Sequence, residues 1–134
     1  FNDSGVYCNF NSFGLPRNLR FNFYKAVTGV ELTRKEWCNT KALRILQLQR
    51  AMLLSGGPDL EWNPKIHDDN PPRFYMPLPS GPHQGKTVNK RKFEDYKKRY
   101  YKAVGWDEDG IPKTQTLRKH GLEDVDKALT KLRQ

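Results

Sequence analysis

The residues best suited to chemistry in this chain lie in its first ten positions, where an aspartate and a glycine precede a cysteine. Asp3, Gly5 and Cys8 are close enough for a carboxylate, backbone amides and a sulfur to converge on one bound group. Two interpretations are open. Cys8 is either an inert buried sulfur, because free cysteine behaves as a small hydrophobe, or one thiolate ligand of a metal centre. An iron–sulfur cluster normally takes four protein ligands, so in the second case the partner ligands lie outside this sequence.

Other candidate metal ligands have less favourable patterns. The run His67-Asp68-Asp69 combines ligand types, but the histidines show no ligand spacing and Asp-Asp-Asn-Pro is ordinary turn chemistry. The acidic loop 106–112 has spaced carboxylates without the twelve-residue calcium pattern. We therefore expect no metal site in these two segments.

Basic residues dominate the composition, with a net charge of +9 over 134 residues. They are densest from Lys86 to Lys102, and clustered lysine and arginine is typical of nucleic-acid binding. The alternative is a solvated helix face. Phe93, Tyr96 and Tyr100 recur at helical spacing and are predicted to face the core, whereas base stacking would need exposed rings. This favours the solvated helix.

The length fits one domain, but hydrophobic residues make up only 36%. This composition predicts a small hydrophobic core and a domain that packs against another protein surface. The missing initiator methionine indicates a segment of a longer chain. Cys8 and Cys38 could form one disulfide in a secreted protein, but nothing else resembles a disulfide framework, so we expect a reducing, cytoplasmic compartment. No apolar run approaches the length needed to span a bilayer.

Helix signals predict the elements that position these residues. A helix is expected from Leu19 to Val27, ended by Gly29 and covered on more than one side. A capping box at Thr33–Glu36 should begin a central helix running to about Leu54. Arg50 lies among apolar neighbours and either finds a carboxylate or carbonyls or extends to water. The residues of this helix expected to be mostly buried are Trp37, Ile45, Leu46, Met52 and Leu53.

The segment Gly56–Asn89 contains seven of the nine prolines and no sustained period. It is predicted to be an extended belt laid over the helices and pinned by aromatic residues. A helix from about Lys90 to Val104, a short helix capped by Thr114, and a last helix from about Leu122 to Leu132 should follow. The predicted fold class is all-α, an irregular helical domain with a long proline-rich extended segment.

Several stretches together carry a family resemblance. Asp3–Cys8, Leu43–Ala51, Pro72–Phe74 and Tyr100–Pro112, with Leu117 and His120–Leu122, resemble the C-terminal domain of the tungsten-containing aldehyde ferredoxin oxidoreductases. The similarity spans nearly the whole chain. Its most specific parts are the run Gly-Trp-Asp-Glu-Asp-Gly-Ile-Pro and the aspartate-to-cysteine spacing.

The resemblance implies an oxidoreductase in which a tungsten or molybdenum ion held by two pterin dithiolenes takes electrons from an aldehyde. One [4Fe-4S] cluster then passes them to ferredoxin. It implies that Cys8 is the fourth cluster ligand, after three cysteines of an earlier domain. It also implies that Asp3 hydrogen-bonds a pterin and that Tyr7 contacts a pterin through its main chain. The usual Gly-Leu before the cysteine is Val6-Tyr7 here, a departure that makes the pterin contact less secure than cluster ligation.

We accordingly interpret residues 1–134 as a single C-terminal domain of a larger oxidoreductase. It comprises a cofactor-facing loop (1–16), central helices (17–55), the belt (56–89) and C-terminal helices (90–134). Upstream domains would be its partners, the parent enzyme could be a homo-oligomer, and the isolated domain should be inactive with no cofactor bound. Two alternatives remain: a basic nucleic-acid-binding module, and a helical interaction domain that has lost its cofactors.

Overall fold

The computed structural model describes residue 8, residue 10 and the ranges 13–16, 18–58 and 61–133. These residues form an all-α fold, as predicted, and the β-pairing there includes an isolated bridge between Trp106 and Pro112. None of the described helices is both long and apolar enough to cross a membrane. The α-helices are α1 (Leu19–Thr28), α2 (Arg34–Glu36), α3 (Ala42–Ser55), α4 (Pro64–His67), α5 (Lys90–Val104), α6 (Thr114–Lys119) and α7 (Glu123–Leu129).

Helix α1 begins and ends as the sequence predicts. Its C-terminal Gly29 is left-handed, with φ 71°, and its N–H bonds the carbonyl of Lys25 at 2.8 Å. The described residues do not themselves provide the cover predicted over α1, because none of its side chains is fully buried and Val27 is 85% exposed. Helix α1 therefore presents an apolar surface to solvent.

The capping box begins the central helix as predicted. The Thr33 hydroxyl accepts from the Glu36 N–H at 3.2 Å, and the Glu36 carboxylate accepts from the Thr33 N–H at 2.8 Å. After α2 the helix widens into a π-turn over Trp37–Lys41, then continues as α3. A π-turn places an extra residue in the helix.

The inward face of α3 is not the predicted one. Its buried residues are Gln47, Arg50 and Ala51, whereas Met52, predicted to be buried, is 71% exposed. Trp37 is buried as predicted, and Ile45, Leu46 and Leu53 are only partly buried. The difference has a physical cause. Gln47 and Arg50 form hydrogen bonds with Trp106 and Asp68, so the helix face that carries them turns inward in place of the more apolar face.

The proline-rich belt is more ordered than an extended strap. Pro64 begins α4, with the Asn63 side chain accepting from the Lys65 N–H at 3.0 Å, and Pro72–Tyr75 forms a 3₁₀ turn. Beyond it the chain doubles back, with the Leu78 N–H donating to the Lys86 carbonyl at 3.0 Å. No sheet forms in the described part of the belt.

Helix α5 has the predicted bounds, but its inward side is shifted by one residue. Tyr96 and Tyr100, expected in the core, are 61% and 48% exposed, whereas Tyr101 is buried. The cause is a partly buried partner, because the Tyr101 hydroxyl donates to the carboxylate of Asp68.

The hydrophobic core lies where α3 meets α6 and α7. Leu117 and Leu129 are 0% exposed, and Ala51 and Leu122 join them. Thr114, predicted to cap α6, is instead its first residue, and its hydroxyl donates to Asp126 at 2.9 Å. The last helix is shorter than predicted: α7 ends at Leu129 and a 3₁₀ turn, Thr130–Arg133, follows.

Candidate functional site

Of the three residues predicted to face a cofactor, the structure describes Cys8. Asp3 and Tyr7 lie outside the described residues, and Cys8 has an exposed side chain. Phe10 and Phe13 are also exposed, with ring centroids 6.2 Å apart. The thiol is therefore accessible to an external group in this chain.

The remaining candidate ligands do not assemble into a metal site. Among residues 8, 10, 13–16, 18–58 and 61–133, no group of three or more His, Cys, Asp or Glu side chains could hold a metal ion. Cys38 is a partly buried free thiol, so it forms no disulfide with Cys8. Among the described residues, the exposed thiol of Cys8 fits a cofactor of the predicted kind, because a thiolate is the donor that iron–sulfur clusters use.

The best-connected polar group in the described structure is the ion pair between Arg50 and Asp68. Arg50 is 4% exposed; its Nη1 donates to Asp68 at 2.9 Å and its Nε to the Gly110 carbonyl at 2.8 Å. Trp62 also donates to Asp68, through its indole N–H at 2.9 Å, as does the Tyr101 hydroxyl. Of the two interpretations left open for Arg50, the carboxylate partner is confirmed.

These contacts set the protonation states. Burial of the Asp68 carboxylate by itself raises its pKa, but hydrogen bonds from Arg50 and Tyr101 and the charge of Arg50 outweigh burial, so the pKa is lowered. Burial and the hydrogen bond to Asp68 raise the pKa of Tyr101. Asp68 is therefore charged and Tyr101 neutral at physiological pH. Through its hydrogen bonds to Arg50 and Tyr101, Asp68 joins the belt to α3 and α5.

The family-like run at residues 105–112 packs against Arg50 and Tyr101. The Arg50 guanidinium lies 4.5 Å from the centroid of the Trp106 indole, whose N–H donates to Gln47 at 2.7 Å. Gly110, with φ 75°, lies so close to Arg50 and Tyr101 that a Cβ there would collide with both. The run thus has a structural explanation in the described contacts.

The sequence analysis misses three members of this network. It assigns the segment containing Asp68 to turn chemistry, places Tyr100 rather than Tyr101 in the core, and does not single out Gln47. The available signal was Arg50, whose apolar neighbours implied a buried partner without indicating which carboxylate.

Comparisons with known proteins show the family to which the chain belongs. Residues 1–122 match the family model described as aldehyde ferredoxin oxidoreductase, domains 2 & 3. A Pyrococcus furiosus protein named aliphatic sulfonate oxidoreductase, WOR-like subunit, is 42% identical over 134 residues, covering 99% of this chain and 21% of that protein.

Two further relatives are named tungsten-containing aldehyde ferredoxin oxidoreductase. The one from Pyrococcus furiosus is 35% identical and the one from Pyrococcus horikoshii 31%, each match covering 91% of this chain and 19% of the relative. The fold and these matches define a helical domain of the oxidoreductase class. The chain belongs to the aldehyde ferredoxin oxidoreductase family. It spans about a fifth of the length of the relatives it matches.

Proposed function

We propose that this chain is the C-terminal cofactor-binding domain of a tungsten or molybdenum oxidoreductase of this family, and that Cys8 supplies one thiolate ligand of a [4Fe-4S] cluster. The observation that carries the proposal is the family match over residues 1–122, which includes the stretch from Asp3 to Cys8. The exposed position of Cys8 supports it. When bound, the cluster would carry electrons away from the tungsten–pterin centre towards ferredoxin.

We also propose roles for Asp3 and Tyr7 at the pterin. A carboxylate suits a ring amino group and a ring N–H together, because charge-assisted hydrogen bonds of this kind are short and strong. Tyr7 would contact the pterin through its main chain, which any residue can supply. The remaining cluster ligands and the acid–base residues would come from other domains of the same cytoplasmic polypeptide, so the isolated domain would be inactive.

The surface of α1 is the part of this domain that we propose packs against those other domains. Phe23 and Val27 are 58% and 85% exposed, and Val30, just beyond α1, is 47% exposed. Apolar side chains concentrated on one element mark interaction surfaces. The relatives are about five times as long as this chain, which supports the proposal that the rest of the enzyme covers these apolar side chains.

The substrate class has two candidates. An aldehyde follows from the family resemblance and from the names of two relatives. An aliphatic sulfonate is the second candidate, because the relative that matches 99% of this chain at 42% identity carries that substrate in its name. Dye reduction by the full-length enzyme, supplied separately with short aldehydes and short alkane sulfonates, distinguishes them.

The cluster-ligand proposal is tested by Cys8→Ser in the full-length enzyme. We expect loss of iron and acid-labile sulfide and a changed EPR signal after reduction, since a hydroxyl replaces a thiolate ligand. Cys38→Ser is the matched control, because it removes the chain's other thiol and should leave the cluster intact. Unchanged iron content together with an unshifted reduction potential in Cys8→Ser would rule out ligation.

A further inference from the structure

The positive charges of α5 fall into two sets. Lys90 forms an ion pair with Asp69 at 3.3 Å, and Lys97 forms one with Glu94 at 2.9 Å. Lys98 and Lys102 are exposed and lie within 4.0 Å of no carboxylate in the part of the chain that is described. The second set is therefore available to an external partner.

Lys98 and Lys102 line a groove at the C-terminal end of α5. Its lining includes Lys98, Arg99 and Lys102 of α5 and Lys113 from the loop before α6. The groove is open, with a volume of about 400 Å³, and Trp106, Asp107 and Glu108 complete its lining. We call these four cations and the space between them the basic groove.

The two carboxylates of the basic groove do not cancel its charge. Asp107 accepts hydrogen bonds from the backbone N–H groups of Asp109, at 3.0 Å, and Ile111, at 2.8 Å. Its Oδ1 therefore holds its own loop, and the carboxylate still counts as one negative charge. Glu108 is exposed and forms no ion pair with a described cation. Four cations face two carboxylates, and the groove has a positive excess.

We propose that the basic groove docks an acidic electron-carrier protein of the ferredoxin class. The inference rests on the proposed function, because that function makes an electron carrier the expected partner of the enzyme. Exposed cations on flexible side chains suit a transient partner, since they raise the encounter rate without requiring a tight, dry interface. The net charge of +9 on this chain has the sign that attracts an acidic partner.

The aromatic rings beside the groove favour a protein partner over a nucleic acid. Tyr96 and Tyr100 are exposed, as base stacking requires, but both rings already have neighbours. The Arg99 guanidinium lies 4.4 Å from the Tyr96 centroid, and Tyr100 packs edge-on against Trp106 at 5.7 Å. These contacts compete with base stacking, whereas acidic side chains can reach the cations directly.

The test is charge reversal in the full-length enzyme, with Lys98→Glu combined with Lys102→Glu. The matched control is Lys127→Glu combined with Lys131→Glu, which reverses two exposed lysines at the same spacing. The measured quantity is the association rate with a purified ferredoxin of net negative charge, at about 0.05 M and about 0.5 M salt.

We expect the groove variant to associate at least about tenfold more slowly at low salt, and the difference to shrink at high salt as the charges are screened. The control should stay within about twofold of the unmodified enzyme. An equal change in both variants, or none in the groove variant, overturns the proposal. Tighter binding of a random single-stranded oligonucleotide than of the ferredoxin, lost in the groove variant, would also overturn it.

Association is measured without substrate, so it does not depend on turnover. Reduction of a small viologen dye, measured separately, reports on the proposed function itself. An enzyme that reduces no dye but associates with ferredoxin through the groove would refute the proposed function and leave the docking surface standing.

Discussion

At the scale of single residues, the most consequential side chain described is Arg50. Taking a guanidinium and a carboxylate out of water is costly, and the attraction between them compensates only when their hydrogen bonds are satisfied. Here Asp68 accepts from Arg50, Trp62 and Tyr101, and the Nε–H of Arg50 donates to the Gly110 carbonyl. The pair joins α3, the belt, α5 and the loop after it through one buried point.

Arg50→Ala should lower the free energy of unfolding by about 3–5 kcal/mol, because it leaves the Asp68 carboxylate partly buried without its charge partner. Denaturant unfolding of the chain measures the change. The control is Arg91→Ala, which removes an exposed arginine of α5 and should change stability by less than about 0.5 kcal/mol.

A double-mutant cycle with Asp68→Ala isolates the pair. We expect the second substitution to cost much less in the Arg50→Ala background than alone, because the partner charge is already gone. Additive losses from the two substitutions would show that the residues do not stabilise each other.

At the scale of elements, the inward face of α3 depends on its partners more than on its own hydrophobicity. Gln47 and Arg50 are buried on that face because the Trp106 indole and Asp68 satisfy them. Met52 is left at the surface as a result. The apolar packing is concentrated instead where α3 meets α6 and α7, around Leu117 and Leu129.

Leu129→Ala should therefore cost about 2–5 kcal/mol, as a large-to-small change at a fully buried position. Met52→Ala removes a side chain of similar size from an exposed position and should cost less than about 0.5 kcal/mol. Denaturant midpoints of the two variants provide the comparison. Equal losses would mean that the core does not lie between α3 and α7.

At the scale of the whole molecule, the exposed apolar surface of α1 contrasts with the compact packing around Leu117 and Leu129. A helix with no buried residue gains little from tertiary packing, and most helical stability in proteins comes from such packing. We expect α1 to be stabilised by the rest of the enzyme.

Val27→Asp in the full-length enzyme should raise amide hydrogen exchange in α1 by about tenfold or more, because it places a charge in the proposed domain contact. Asn22→Asp, which adds the same charge at another exposed position of α1, is the control and should leave exchange nearly unchanged. Identical exchange in both variants would show that Val27 faces solvent in the full-length enzyme as well.

Local sequence determined the ends of α1 and α5 and the start of the central helix, but not the first residue of α6 or the end of α7. The local signals are the capping box at Thr33, the glycines after α1 and α5, and the absence of a period in the belt. Each depends on residues close together in sequence, so it can be recognised without knowing the tertiary structure. The same holds for the stretch from Asp3 to Cys8, whose types and spacing pointed to the family before any contact was known.

Tertiary structure decided which helix faces turn inward and which polar groups meet. Arg50 and Asp68 are 18 positions apart, and Gln47 and Trp106 are 59 apart. The partner in each pair is selected by packing among several candidates of the same type. Periodicity ranks faces by hydrophobicity alone, and it failed at Met52, Tyr96 and Tyr100 because a buried polar group with a satisfied partner can displace a more apolar face from the interior.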